Sequence, residues 1–353
     1  MQNIILKIYL SVMVCILCLI TLFTSTFAWI GLLSVSSIEN FTIDIEASKL
    51  EEYGVEISLT GEPDSFGTTV DVYELKKIIL QNYGYSASSL ETNEDIDKLF
   101  SKIVIDQCTV NPNDDNSFPD FVDMNNNPTK SYFKFDLYIS TYQVFDNDTT
   151  DYLLDVYLVG DLFEGTIRNR DLINGFTYPS NFINPEINGI QGGTSLKNNI
   201  AVDSASAVRL AIQKYNVVEK YKPEQYEELS TINDLIIYQG GKQLPTYDEQ
   251  KKLYSFGGIL PDEYNLAVYD WNLKYPLQKK AVPEWAINRG DIFYDTSKSH
   301  QIIDSTNSNE KIGVNDMMKM TVYFWFEGWD ADCFDVINKS PVSINLKFSV
   351  NEK

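Results

Sequence analysis

Histidine is almost missing from this chain. Its 353 residues hold one, His300, so a His-Glu-x-x-His zinc site cannot be built. A Ser-His-Asp triad would have to use the same ring. That ring lies in the polar run TSKSHQ and reads as a solvated surface histidine. Basic residues are also scarce. Lys and Arg total 28 against 50 Asp and Glu, a net charge of −22. A field of that sign repels phosphodiesters and anionic headgroups, which argues against nucleic acid as a partner. No glycine pattern of the phosphate-cradling or dinucleotide kind occurs, and Gly and Pro, at 18 and 12, are too few for collagen or a linker. What remains is apolar (44%) and aromatic (13%), enough for a hydrophobic core.

The charge is unevenly placed. Residues 1–33 hold one charged side chain, Lys7, so the other 320 carry 27 basic and 50 acidic groups, a net of −23. Ile8 to Leu33 is an uncharged stretch of 26 residues, long enough to cross a bilayer as a helix. Lys7 before it and Glu39, Asp44 and Glu46 after it put the bulk of the chain outside. The stretch reads as a signal peptide or a retained transmembrane anchor. Thr26 and Ala28 supply the small residues for cleavage after Ala28. Of four cysteines, Cys15 and Cys18 fall inside this stretch. Cys108 and Cys333 remain, either as a disulfide that an exporting compartment would allow or as two free thiols.

Beyond residue 33 the dominant period is two. FTIDIEA (41–47), YFKFDLYIS (132–140), YLLDVYLV (152–159), AVRLAI (207–212), TVYFWFE (321–327) and VSINLKFSV (342–350) alternate apolar and polar residues. Such alternation predicts half-buried antiparallel strands, hence a mostly β protein: one jelly-roll-like sandwich over 34–353. Helical insertions are expected near 71–104 and 222–255. Asp71 to Tyr83 aligns Val72, Leu75 and Ile79, and Thr92 with Asp95 forms a capping box before Ile96, Leu99, Phe100 and Ile103. Further helices are expected from Pro223, presenting Tyr226 and Leu229, and at Thr246 with Glu249.

Three loops are rich in Asn and Asp. Asx residues favour turns through their own backbone, but clustered oxygens also suit calcium. Asp123, Asn125 and Asn127 imitate the opening of a calcium loop, although Pro128 replaces the turn glycine and Lys134 the bidentate glutamate. The densest acidic group is Glu327, Asp330 and Asp332 in FEGWDADC. It reads as a structural or ion-binding turn anchored by Trp329, or as a carboxylate pair for hydrolysis. Tyr132, Tyr138, Tyr157, Tyr323 and Trp325 lie opposite the apolar stripes. They form either a stacking platform for sugar rings or a second packed face.

Two segments resemble a known group. TSTFAWI (24–30) is similar to the T-x-A-W/Y-F junction of exported Firmicute proteins of the TasA and camelysin kind. TVYFWFEGWDADC (321–333), followed by VSINLKFSV, resembles the W-x-E-G-x-D-x-x-C ending of uncharacterised Firmicute and Mollicute surface proteins. Ile30, where the pattern prefers Phe, and Trp329 depart from it. The resemblance implies a secreted or membrane-anchored β-sandwich and transfers no catalytic residue. It also implies assembly by strand donation, with 29–36 or FTIDIEA as the donor. The expectation is a non-enzymatic cell-envelope or secreted protein that contacts the membrane through its N-terminal helix and associates with itself or with a surface glycan or protein. A glycan- or peptide-binding module is the alternative, and an acidic-residue hydrolase a third reading.

Overall fold

The computed structural model describes residues 37–48, 53–112, 119–143, 154–171, 176–177, 195–196, 199–240, 246–248, 253–255, 282–287, 289–294, 298–313, 315–330, 332–333, 337 and 340–352. All belong to one compact unit, Ser36–Lys353. The apolar stretch 8–33, the cleavage position Ala28 and the donor segment 29–36 lie outside the described residues, as do most of the Asx loops near 111–117 and 146–151. Among the described residues, no helix is long and apolar enough to cross a membrane.

The chain opens with β1 (Ser37–Ala47) and β2 (Tyr53–Ser58), then helices α1 (Val72–Asn82) and α2 (Asn93–Phe100). Strands β3 (Ile105–Pro112), β4 (Pro119–Asp123), β5 (Tyr132–Gln143), β6 (Leu154–Leu158) and β7 (Phe163–Glu164) follow. Next come β8 (Ile167–Asp171), β9 (Phe176–Thr177), β10 (Ser195–Leu196), β11 (Asn199–Asp203), β12 (Val208–Glu219) and β13 (Thr231–Gln239). The last elements are β14 (Thr246–Asp248), β15 (Leu253–Ser255), a single helical turn α3 (Glu284–Ile287), β16 (Ile292–Phe293), β17 (His300–Ile303), β18 (Asp316–Glu327) and β19 (Ser340–Glu352).

The protein is mostly β, and most strand pairs are antiparallel. Two layers face each other. One runs β1-β19-β6-β17, with β7 beside β19; the other runs β16-β13-β12-β18-β5-β2. Strand β3 joins them: its start pairs with β1, its middle with β18, and its other edge with β4. A separate four-stranded sheet, β14-β15-β11-β8, and the β9–β10 ribbon complete the strands.

Alternation explains the core. Phe41, Ile43 and Ile45 of β1 and Val342, Ile344, Leu346 and Phe348 of β19 meet Phe133, Phe135, Leu137 and Ile139 of β5 and Val322, Phe324 and Phe326 of β18 in one buried cluster. The Phe41 and Phe133 rings touch edge to face at 5.0 Å across the layers. Helices α1 and α2 close one side, burying Leu75, Ile79, Leu80, Ile96 and Phe100. Asp71 caps α1 by accepting from the amides of Tyr73 and Glu74, and Thr92 caps α2 by accepting from Asp95. Val72, expected on the buried stripe, is exposed.

Other expectations need correction. β1 and β19 pair in parallel, with Phe41 beside Val342 and Ala47 beside Phe348, an arrangement absent from an all-antiparallel jelly roll. FTIDIEA is therefore hydrogen-bonded within its own chain. Of the helices expected in 222–255, the first does start at Pro223 but as a short 3-10 helix, and the second is replaced by a strand. Pro223–Glu228 is a 3-10 helix with no buried residue, and Thr246–Asp248 is a strand paired with β15. A proline at a first turn serves either helix type, and without an apolar stripe nothing stabilises four-residue periodicity.

Candidate functional site

Strands β12 and β18 are buried on both faces. The inward set of β18 joins the main core, and the opposite set, Tyr323 and Trp325, joins a second cluster with Cys108, Val110, Phe121, Ala211 and Ile237. Phe121 of β4 covers it, stacking on Tyr132 at 4.0 Å and meeting Trp325 edge-on at 5.3 Å. Tyr323 and Trp325 are thus inside the protein, and Tyr132, Tyr138 and Tyr157 are half-buried. Tyr138 covers Gly61, whose φ of 76° and lack of a side chain let the ring approach. Of the two readings of these five residues, Tyr323 and Trp325, with Tyr132 against them, follow the packed second face; Tyr138 and Tyr157 lie outside that cluster and keep part of their surface exposed.

The acidic group sits where this second face reaches the end of β18. In register, Glu327 of β18 lies beside Cys108 of β3, which in turn lies beside Asp123 of β4. The two acidic groups singled out in the sequence are therefore one strand apart. Gly328 donates its N–H to the Cys108 carbonyl at 3.0 Å, and a Cβ there would collide with Met124 of the Asp123 loop.

Two arginines meet the acids. Arg209 of β12 is fully buried, donating from Nη2 to Asp330 Oδ2 (2.6 Å), from Nε to Asp291 Oδ2 (2.9 Å) and from Nη1 to the Ser206 and Val208 carbonyls. Arg289 donates from Nε and Nη2 to the two oxygens of Asp291 at 2.7 and 2.6 Å, and from Nη2 to Glu327 Oε2 at 2.9 Å. Its guanidinium lies 5.5 Å from the Trp325 ring. Glu327 Oε2 also accepts from Trp325 Nε1 (3.0 Å) and Thr109 Oγ1 (3.3 Å), and Oε1 from the Trp329 amide (3.1 Å). Asp330 Oδ1 accepts from the Asp332 amide at 2.8 Å.

Burial works against ionisation throughout, and local charge decides each case. For Asp291, burial pushes upward but Arg289 and Arg209 outweigh it and hold the carboxyl below the usual range. For both arginines burial pushes downward, yet the carboxylates raise them. Burial lifts Asp330 despite Arg209. Asp332 is lifted well above the ordinary value, by burial first and then by Asp330 and Asp203. Among the described residues, its Oδ1 has no hydrogen-bond partner.

This arrangement holds β12, β18, β3 and the 289–291 segment together. Glu327 and Asp330 have no exposed surface and Asp332 is 2% exposed. Among the described residues, no group of three His, Cys, Asp or Glu side chains is arranged to hold a metal ion. The calcium candidate Asp123 spends its carboxylate on its own turn: Oδ1 accepts from the amides of Asn125 and Asn127 at 2.8 and 2.9 Å, and both oxygens face Asn127 Nδ2.

Cys108 and Cys333 are both buried, free thiols. Cys108 Sγ faces the Ser131 carbonyl in the second cluster, whereas Cys333 lies in the main core with Sγ on the Gln107 side chain. Gln107 and Cys108 are consecutive on a strand and point to opposite faces, so the sheet separates the two sulfurs. Burial pushes both thiols well up, which disfavours the thiolate form. His300 is half-buried rather than on the surface. Its ring stacks on Tyr294 at 4.6 Å and meets Tyr238 edge-on.

Arg209, Arg289, Asp291 and Thr109 were not visible as site residues in the sequence. One signal existed: Arg209 interrupts the apolar run AVRLAI. No family model, curated protein or solved structure matches this chain.

Proposed function

We propose that this is an exported, non-enzymatic protein of the cell envelope: a β-sandwich held at or released from the outer face of the membrane by residues 1–33. The observation that carries the proposal is the charge division between an uncharged 26-residue stretch behind Lys7 and a sandwich of net charge −23. The buried ion-pair network supports it. The densest acidic group in the chain is consumed in joining strands and presents neither acid nor base to a substrate. With FTIDIEA committed to β19 of its own chain, assembly by strand donation falls to residues 29–36 alone.

Fractionation of the native cells followed by N-terminal sequencing tests the reading. Recovery in the envelope or medium, with a mature terminus near Trp29 or an uncleaved anchor, is the expected result. A cytosolic protein with residues 1–33 intact would refute it.

A further inference from the structure

Lys214 continues the inward stripe of β12 formed by Val208, Leu210 and Ile212, where a lysine has no solvent to meet. A β-bulge lies between Lys214 and Val217 in the pairing with β18, a device that re-aims side chains. The Lys214 ammonium reaches the opposite layer. Nζ donates to the Ile302 carbonyl of β17 at 3.2 Å and lies 2.6 Å from Glu310 Oε1, in the turn that follows β17. Both side chains are 5% exposed. Ile302, Ile303 and Ile312, all in the main core, lie close by in the chain.

The same oxygen, Glu310 Oε1, also accepts from Asn307 Nδ2 at 3.0 Å. One carboxylate oxygen therefore stands between an amine and a carboxamide nitrogen. Its second oxygen accepts the Asp304 amide at 3.2 Å. Asn307 Oδ1 in turn accepts the Asn309 amide at 3.2 Å. The turn is fixed from outside as well: Ser305 donates from its N–H and its hydroxyl to Asp155 Oδ1 of β6, at 2.9 and 2.7 Å.

We propose that Lys214 and Asn307 react to form an intramolecular isopeptide bond, with Glu310 as the proton-transfer residue. A proton passes from Nζ to Glu310 Oε1, and the free amine attacks the Asn307 carboxamide carbon. Negative charge gathers on Oδ1, where the Asn309 N–H already points. Glu310 returns that proton to Nδ2, which departs as ammonia, then takes the second proton from Nζ and passes it to the ammonia. The Nζ–Cγ bond forms, the Cγ–Nδ2 bond breaks, ammonium leaves and the carboxylate is regenerated. The step consumes no oxidant and no cofactor. Its product is a covalent tie between the two layers of the sandwich.

The test is proteolysis of the denatured full chain followed by mass spectrometry, after confirming that the protein was folded. The expected result is a branched peptide joining the Lys214 and Asn307 segments, lighter than their sum by one ammonia, with loss of both linear peptides. Glu310→Gln and Asn307→Ala restore the linear peptides. Full recovery of the linear peptides from folded wild-type protein overturns the proposal, as does Asn307 deamidated to aspartate without a branch. A branch that persists in Glu310→Gln overturns the role of Glu310. The wild-type measurement stands even where a variant fails to fold.

Discussion

Arg209 enters β12 at a position closed to water on both faces, so other side chains must answer its charge. Asp330 and Asp291 do so at 2.6 and 2.9 Å. Removing one partner of a buried pair strands the other, which costs about 3–5 kcal/mol. Arg209→Ala is expected to lose that much in urea denaturation, as a shift in midpoint with little change in slope. Asp332 should behave in the opposite sense. Its carboxyl is raised when folded, so the folded state binds the proton more tightly than the unfolded chain does. Wild-type stability therefore declines as pH rises from the ordinary carboxylate value, about 4, through the raised native value. Asp332→Asn removes that decline. The variant should exceed wild type in urea midpoint at neutral pH, and the two should converge near pH ~4. A difference that does not vary with pH would count against this account.

At the scale of the element, alternation marked the strands but not what lies behind them. FTIDIEA and VSINLKFSV have one face on the core and the other toward solvent, and their pattern reads correctly. AVRLAI and TVYFWFE carry the same pattern although both faces are buried, because Tyr323 and Trp325 look alike whether they face water or Phe121. The Thr92 cap was legible because it acts over three residues, and it does what its spacing predicts; Asp71, read as the first residue of its helix, is the cap that precedes it. The parallel pairing of β1 with β19 was not legible, because no local feature links residue 41 to residue 342. For the same reason Glu327, Asp330 and Asp332 stood out in the sequence while Arg209, Arg289 and Asp291 did not. Two substitutions separate these levels. Thr92→Ala removes a cap and is expected to lower stability by about 1 kcal/mol. Phe133→Ala deletes a ring touching Phe41 and Phe100, at 5.0 and 5.8 Å, and should cost about 3–5 kcal/mol. Thermal or urea unfolding of the two variants side by side measures the ratio.

At the scale of the molecule, one strand makes the two layers continuous. β3 is bonded to β1 at its start, and to β18 and β4 further along, so the layers cannot separate without breaking its ladder. The ion-pair network lies at this junction, with Thr109 of β3 bonded to both Glu327 and Arg289. Opening of the sandwich should therefore be cooperative, and amide exchange in β3 should be as slow as in β18. Early exchange of β3 would show that the junction yields first.

The parallel alignment of β1 with β19 also has a mechanical meaning. Ile38 lies beside Ser340 and Ala47 beside Phe348, so the two strands start at the same end of the pair. A pull on Ser37 and an opposing pull on Glu352 act along the strand axes in opposite directions. The ladder is then loaded in shear, with its hydrogen bonds sharing the tension, instead of being peeled apart one at a time. Stretched between these two points in a force spectrometer, the domain should resist until a single high rupture event. Pulled across the strands from Thr42 and Ser343, it should unzip at far lower force.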